Sequence, residues 1–128
     1  KGLLDRDDIG PALDSGADAL IVSNHGGRQL DGAPSTARAL PAIAQQVNGR
    51  CAVMVDGGIR SGIDVFRALA LGAHGVLIGR PWVWALAAAG DAGVRALIET
   101  WQNELRTTMA LAGVTRVADI GAQHLSPA

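Results

Sequence analysis

Three short apolar runs constrain the fold of this chain more than any other feature. Each run is apolar throughout instead of alternating, a pattern typical of strands in a parallel sheet that is covered on both faces. Each follows a turn with a glycine where a helix commonly ends, and each precedes a polar, glycine-rich segment. The predicted strands are 19–22 (ALIV), 52–55 (AVMV) and 75–78 (GVLI). The repeated order of helix and strand predicts an α/β fold.

Four amphipathic stretches around these runs predict helices. We expect the first to begin near Asp5 and the second near Leu40-Pro41, since proline suits a first helical turn. The third is predicted to be capped by Ser61, with Val65, Phe66 and Leu69 on its inner face, and the last to run from about Asp91 to Ala112. Trp82 and Trp84, which follow the GRP turn, are expected to pack against helices, with stacking on a cofactor as the alternative.

Three strands with their helices fit two architectures. A doubly wound sheet and part of a (β/α)₈ barrel both place ligand chemistry at the carboxyl ends of parallel strands. In this chain all three strand ends are followed by polar motifs: SNHGGR, DGGIRSG and GRPW. The residues alone leave the choice between the two architectures open.

Charge and cysteine content exclude several classes of function. The 128 residues include 11 basic and 12 acidic side chains without a basic run, so we expect no nucleic-acid partner. Cys51 is the only cysteine, which excludes an intrachain disulfide and fits a reducing, cytoplasmic location. No set of His, Cys, Asp and Glu has metal-ligand spacing, and no apolar run reaches the length of a membrane span. Small-molecule chemistry is the expected function.

The segment DGGIRSG predicts a phosphate site. Its glycines let the backbone approach an anion, the amides of the helix that starts at Ser61-Gly62 point toward it, and Arg60 adds positive charge. Gly79 and Arg80 leave the next strand in an equivalent position, so both loops can serve one phosphate. The alternative, a tight turn without a ligand, does not explain why the arginines recur.

The segment SNHGGRQLDG predicts acid–base chemistry on a carboxylate-bearing substrate. His25 can exchange a proton near neutral pH, and Arg28 offers a planar fork that matches a carboxylate. Asp31 could orient Arg28 or cap the next turn, and both interpretations stay open. His74 and His124 are expected to be structural or surface residues, and Cys51 to pack as a small apolar side chain.

SNHGGRQLDG together with VDGGIRSGIDVFRALALGAHGVLIGRP resembles the C-terminal half of the FMN-dependent α-hydroxy acid dehydrogenases and oxidases. STARALPAIA and TTMALAG are most similar to the bacterial L-lactate dehydrogenases that pass electrons to a quinone or cytochrome. The resemblance implies the C-terminal half of a TIM (β/α)₈ barrel, from the end of strand 5 through helix 8, as one partial domain over residues 1–128.

The resemblance also implies a role for individual residues. His25 matches the catalytic base and Arg28 the group that binds the substrate carboxylate. The positions that match FMN contacts are Lys1, Ser23, Asp56, Gly57, Gly58, Ile59, Arg60, Gly79 and Arg80. The implied reaction is oxidation of an L-2-hydroxy acid, with L-lactate favoured, to the 2-oxo acid, and the residues do not choose between carbanion and hydride mechanisms.

The resemblance leaves the partners partly open. The first four strands of the barrel are missing, so we expect an enzyme fragment that carries half an active site; the alternative is a non-catalytic half-barrel that binds FMN or another phosphorylated ligand. The electron acceptor is a quinone, a cytochrome or O₂, and a quinone would imply peripheral attachment to the inner face of the plasma membrane. The full-length protein is expected to be a homo-oligomer.

Overall fold

A three-stranded parallel sheet forms the centre of the fold. The structure, a computed structural model, describes residues 1–126. The strands are β1 (Ala19–Val22), β2 (Ala52–Val55) and β3 (Gly75–Val76), in the order β1-β2-β3. Val22 lies opposite Val55, and Val55 opposite Val76, so the carboxyl ends of the strands meet at one edge of the sheet. The predicted parallel order and strand positions are confirmed, except that β3 ends two residues early.

Four helices connect and follow the strands. They are α1 (Ile9–Asp14), α2 (Thr36–Val47), α3 (Gly62–Ala70) and α4 (Arg80–Leu111). The long α4 is broken at Ala89 and Gly90, whose dihedral angles are not helical, into a first segment at Arg80 and a second that ends at Leu111. Short 3₁₀ turns lie at 6–8, 25–27, 117–119 and 122–124. Within residues 1–126, no helix combines the length and apolarity that a membrane span requires.

The predicted start of the second helix is wrong by one turn. The helix begins at Thr36, because the Ser35 side chain accepts a hydrogen bond from the backbone N–H of Arg38 and caps the helix. Pro41 therefore lies in the second turn instead of the first. It removes the hydrogen bond to the carbonyl of Ala37, and this loss is tolerated because both residues are exposed to water.

The core lies between the sheet and the helices on one side of it. The main cluster is centred on residues that are almost fully buried: Ile9, Leu20, Val22, Leu40, Ile43, Val47, Val53 and Val55. A second cluster joins α3 to the end of α4 through Phe66, Ala70, Met109, Val114 and Ile120. Phe66 is buried as predicted, whereas Val65 and Leu69 are only partly covered.

The expectation that both faces of the sheet are covered is wrong for the described residues. Burial alternates along β1 and β2: Val22 and Val55 are buried, while Ile21 and Met54 are half-buried. The half-buried positions belong to the face that opposite strands cover in a closed barrel. The packing predicted for Trp82 and Trp84 is also wrong, since these residues are 40% and 62% exposed.

Truncating the core should test this packing. Leu40 is 1% exposed in the main cluster, so Leu40→Ala should lower the free energy of unfolding by about 2–5 kcal/mol. Leu111→Ala is the matched control, because this helical leucine is 86% exposed and its truncation should cost less than about 0.5 kcal/mol. Urea unfolding followed by circular dichroism measures both; equal losses would contradict the assigned core.

Candidate functional site

A cavity of about 460 Å³ opens at the carboxyl ends of the three strands. Its size lies within the range of sites that bind small molecules and cofactors. Residues from all three predicted motifs meet in its wall: Lys1, His25, Gly26, Arg28, Gln29, Asp56, Gly57, Gly58, Ile59, Arg60, Leu77, Ile78, Gly79, Arg80, Pro81 and Trp84. Of the predicted site residues, only Ser23 is not in this wall, and it lies directly behind it as a fully buried side chain.

Lys1, Ser23 and Asp56 form a polar cluster at the base of the cavity. The Lys1 Nζ donates a hydrogen bond to the Ser23 Oγ at 2.7 Å and forms an ion pair with the Asp56 carboxylate. The Ser23 Oγ also accepts a hydrogen bond from the backbone N–H of His25, at 3.1 Å. Ser23 therefore links the ammonium group of Lys1 to the beginning of the histidine loop.

One oxygen of this cluster lacks a partner. The Asp56 Oδ1 is buried and receives no hydrogen bond from the described residues. Buried oxygens of this kind are rare, because leaving one unpaired costs the free energy of its lost hydration. Since Asp56 also belongs to the cavity wall, this oxygen fits a ligand that brings a hydroxyl or N–H donor.

Thr36 holds the backbone of Gly57 and Asn24 lies beside it, and sequence analysis missed both residues. The Thr36 Oγ1 donates to the carbonyl of Gly57 at 3.3 Å, and Thr36 is almost fully buried. The Asn24 side chain accepts a hydrogen bond from Gly26 N–H and donates another to the carbonyl of Pro34. A Cβ on Gly57 would lie 3.1 Å from the Asn24 Oδ1. No short-range sequence signal joins these residues, because they come from different loops.

His25 and Arg28 lie on the short 3₁₀ turn that follows β1. His25 is exposed and has a φ of 55°, a left-handed conformation that is uncommon for a residue with a side chain and is enriched at functional sites. Its ring packs over Gly2, where an added Cβ would lie 2.9 Å from the His25 Cε1. Both side chains belong to the cavity wall, as predicted. The Asp31 carboxylate accepts a hydrogen bond from Gly32 N–H, which favours the turn-capping interpretation.

The glycine–arginine loop, residues 56–61, uses its helix amides differently from the prediction. The backbone N–H of Gly62 donates to the Glu104 side chain at 2.6 Å, and that of Asp64 donates to the Ser61 Oγ at 3.1 Å. The N–H of Arg60 donates to the Asp64 carboxylate at 3.0 Å. Side chains of the chain itself therefore occupy these amides, and they do not point at a free anion.

The N-terminus of α4 offers the anion site instead. No side chain caps this helix, in contrast to α2 and α3, and Pro81 lies in its first turn. An uncapped helix start presents unpaired N–H groups and the positive end of the helix dipole. Arg80 and Arg60 both line the adjoining cavity, and neither forms an ion pair within residues 1–126. Added Cβ atoms at Gly58 and Gly79 would meet nothing within 4 Å, so a ligand can approach the backbone there.

The remaining candidates lie away from the cavity. The His74 Nδ1 accepts a hydrogen bond from Val53 N–H at the opposite end of the sheet, a structural role. His124 packs against Phe66 with 6.0 Å between the ring centroids and bonds locally to Gly121. Cys51 is a free thiol that packs against the main core cluster, as predicted. Among the described residues, no group of His, Cys, Asp and Glu is arranged to hold a metal ion.

The sequence profile of one protein family, the FMN-dependent dehydrogenases, matches residues 1–127. The chain belongs to this family of FMN-dependent enzymes. This assignment confirms the resemblance on which the sequence analysis relied.

Curated relatives with similar sequences are named L-lactate dehydrogenases. The chain is 60% identical over 120 residues to an L-lactate dehydrogenase of Caulobacter vibrioides, covering 94% of the chain and 31% of that protein. It is 52% identical over 125 residues to an L-lactate dehydrogenase of Chromohalobacter salexigens, covering 98% of the chain and 32% of the relative. The chain spans about a third of the length of the curated relatives it matches.

Solved structures of mandelate oxidase share the fold. The complex of that enzyme with benzoyl-formic acid superposes with a TM-score of 0.88 at 55% identity, over 91% of this chain and 35% of the other. A variant that carries a monooxide FMN adduct gives the same score and identity, over 91% and 37% of the two chains. The architecture is therefore part of a TIM (β/α)₈ barrel, which resolves the choice that the residues alone left open.

The close contact of Gly57 with Asn24 and Thr36 is testable. Gly57 and Gly58 have similar φ values, 85° and 80°, so alanine at either position should cost about 1–2 kcal/mol of stability through backbone strain. Gly57→Ala should cost about 1 kcal/mol more, because Asn24 and Thr36 are held by hydrogen bonds and cannot move aside. Chemical unfolding of the two variants measures the difference; equal stabilities would contradict the described contact.

Proposed function

We propose that this chain binds FMN, with the phosphate at the N-terminus of α4. The observation that carries the proposal is the uncapped start of α4, placed beside two arginines that form no ion pair with the described residues, at the end of a parallel sheet. A phosphate is an anion that accepts hydrogen bonds from N–H groups and pairs with guanidinium groups, so it fits this donor set. Membership of the FMN-dependent dehydrogenase family supports the choice of FMN over other phosphates.

The other cofactor contacts follow from the same cavity. We assign the phosphate to Arg60, Gly79 and Arg80, together with the open backbone at Gly58. Asp56, whose buried Oδ1 lacks a donor, is assigned to a hydroxyl group of the ribityl chain. Lys1 is assigned to the flavin ring, where a positive charge stabilises the reduced form. Ser23, for which the resemblance implied a ring contact, is buried behind the wall and is assigned instead to holding the Lys1 ammonium group. Gly57 is assigned a backbone contact with the cofactor, and Ile59 a side-chain contact from the cavity wall.

The activity that we propose is oxidation of an L-2-hydroxy acid to the 2-oxo acid, with L-lactate favoured. When bound, FMN supplies the two-electron acceptor for this reaction. The proposal is supported by the names of the relatives, L-lactate dehydrogenases at 52% to 60% identity and mandelate oxidase at 55%, which share a small hydroxy acid as substrate class.

His25 and Arg28 are the residues assigned to the substrate. Arg28 would hold the carboxylate through its guanidinium fork, which fixes the orientation of the α-carbon in the cavity. His25 would accept the proton that the substrate releases, and its exposure in the cavity wall leaves the ring accessible to a bound acid. The Ser23 Oγ holds the backbone of His25 and thereby the position of this base.

The phosphate assignment predicts a preference between two flavins. The chain should bind FMN at least tenfold more tightly than riboflavin, which lacks the phosphate, since a hydrogen bond to a charged group contributes about 1.5–3 kcal/mol. Arg80→Gln should weaken FMN binding by about tenfold and leave riboflavin binding unchanged. Quenching of flavin fluorescence measures both affinities.

The control for this experiment lies on the same helix. Arg106 is exposed on the second segment of α4, outside the cavity wall, so Arg106→Gln should change neither affinity. Equal affinity of the wild-type chain for FMN and riboflavin would contradict the phosphate site. Weak binding of both flavins would contradict the proposal as a whole.

The role of His25 is tested by anaerobic reduction of the bound flavin. With the N-terminal half of a relative supplied, L-lactate should bleach the visible absorbance of the FMN-loaded chain, and His25→Gln should slow the bleaching by about 10²–10⁴-fold at unchanged FMN affinity. His74→Gln, a change at the opposite end of the sheet, should leave the rate unaltered. Bound flavin that the wild-type chain does not reduce would support the alternative, a half-barrel that binds FMN without turnover.

A further inference from the structure

We propose that Glu104 is a positioning residue that holds the glycine–arginine loop in the shape required to bind the phosphate. The proposal rests on the proposed FMN function and extends it to a residue outside the cavity wall. Glu104 lies on the second segment of α4, 42 residues from its partner Gly62, and its side chain is partly buried. Glu104 does not belong to the cavity wall, and its side-chain hydrogen bond goes to a residue that is not assigned to the flavin.

The contact between Glu104 and the loop is direct. The Glu104 Oε2 accepts a hydrogen bond from the backbone N–H of Gly62 at 2.6 Å. Gly62 is the first residue of α3 and immediately follows the glycine–arginine loop. A carboxylate at this place pairs a free amide and also interacts favourably with the positive end of the helix dipole.

Gly62 is shaped for this contact. An added Cβ would overlap the carbonyl oxygen of Trp101, lie 2.6 Å from the backbone nitrogen of Leu105 and lie 2.7 Å from the Glu104 Cβ. The backbones of α3 and α4 therefore approach each other at a distance that only glycine permits. The Thr108 Oγ1 donates to the Glu104 carbonyl at 2.8 Å, one turn further along α4.

The Glu104 hydrogen bond differs from the other two at this place because it joins the glycine–arginine loop to a separate helical segment. The other two bonds at this place, from Arg60 N–H to Asp64 and from Asp64 N–H to Ser61, lie within the loop and the first turn of α3. The start of the loop is fixed to the sheet, because Asp56 N–H donates to the carbonyl of Val22. The Glu104 bond fixes its far end to the second segment of α4.

The charge of Glu104 affects which helix start can bind the phosphate. With a carboxylate on Gly62 N–H, the start of α3 repels a second anion, and the uncapped start of α4 is left for the phosphate. Removing the carboxylate frees the loop end and allows the separation of Arg60 from Arg80 to vary. Phosphate binding should suffer, while contacts to the ring and ribityl chain should not.

The test compares FMN with riboflavin in variants of Glu104. Glu104→Ala should weaken FMN binding by about tenfold, which corresponds to the loss of one hydrogen bond to the charged phosphate. Its affinity for riboflavin should change by less than about twofold. Glu104→Gln, whose amide oxygen still accepts from Gly62 N–H, should restore most of the FMN affinity. Glu99→Ala, an exposed glutamate on the same segment, is the matched control and should change neither affinity.

Two outcomes would overturn the inference. Unchanged FMN binding in Glu104→Ala would show that the bond does not position the loop, and equal weakening of both flavins would assign Glu104 a general structural role. If Glu104→Ala does not fold, Glu104→Asp takes its place, because it keeps the charge on a side chain one methylene shorter. The FMN and riboflavin affinities of this variant are then compared with those of the wild-type chain.

Hydrogen exchange separates this inference from the proposed function. Without flavin, residues 57–62 of Glu104→Ala should exchange amide hydrogens faster than in the wild-type chain, and Glu99→Ala should not differ. Unchanged exchange would overturn the anchoring role even if FMN binds. Faster exchange in a chain that binds no FMN would support the anchoring and contradict only the proposed function.

Discussion

The in-register parallel pairing of the three strands determines where every functional group lies. Val22, Val55 and Val76 are aligned across the sheet, so the residues that follow them emerge at one edge. A shift of one residue in this register would send every side chain of the shifted strand to the other face. The buried side chains of β1 and β2, one leucine and three valines, make such a shift costly, because it would expose the core cluster to water. The position of the site is thus a consequence of core packing.

Helix starts determine what kind of ligand the edge can accept. Ser35 caps α2, and Ser61 with Glu104 occupies the start of α3, whereas no side chain caps α4. The uncapped start of α4 lies where Arg80 and the open backbone of Gly79 also lie. The chain therefore directs anion binding both by occupying the starts of α2 and α3 and by leaving the start of α4 open beside Arg80.

The local patterns of the sequence predicted most of the fold. Apolar runs and glycine turns located the strands, and the motifs that contain His25, Arg60 and Arg80 located the cavity wall. Local signals failed at the start of α2, where two of them compete. Pro41 favours a first helical turn, but the Ser35 cap starts the helix five residues earlier, at Thr36. They also failed for contacts across long stretches of chain. Asn24 and Thr36 beside Gly57, and Glu104 beside Gly62, depend on tertiary packing that no spacing in the sequence encodes.

The central claim is that one phosphate lies between the glycine–arginine loop and the start of α4, and a crystal structure of the chain grown with FMN tests it most directly. We predict electron density for the phosphate within hydrogen-bond distance of the guanidinium groups of Arg60 and Arg80 and of the first backbone amides of α4, with a ribityl hydroxyl on the Asp56 Oδ1. A flavin bound elsewhere, or in this cavity with its phosphate directed away from both arginines, would contradict the account.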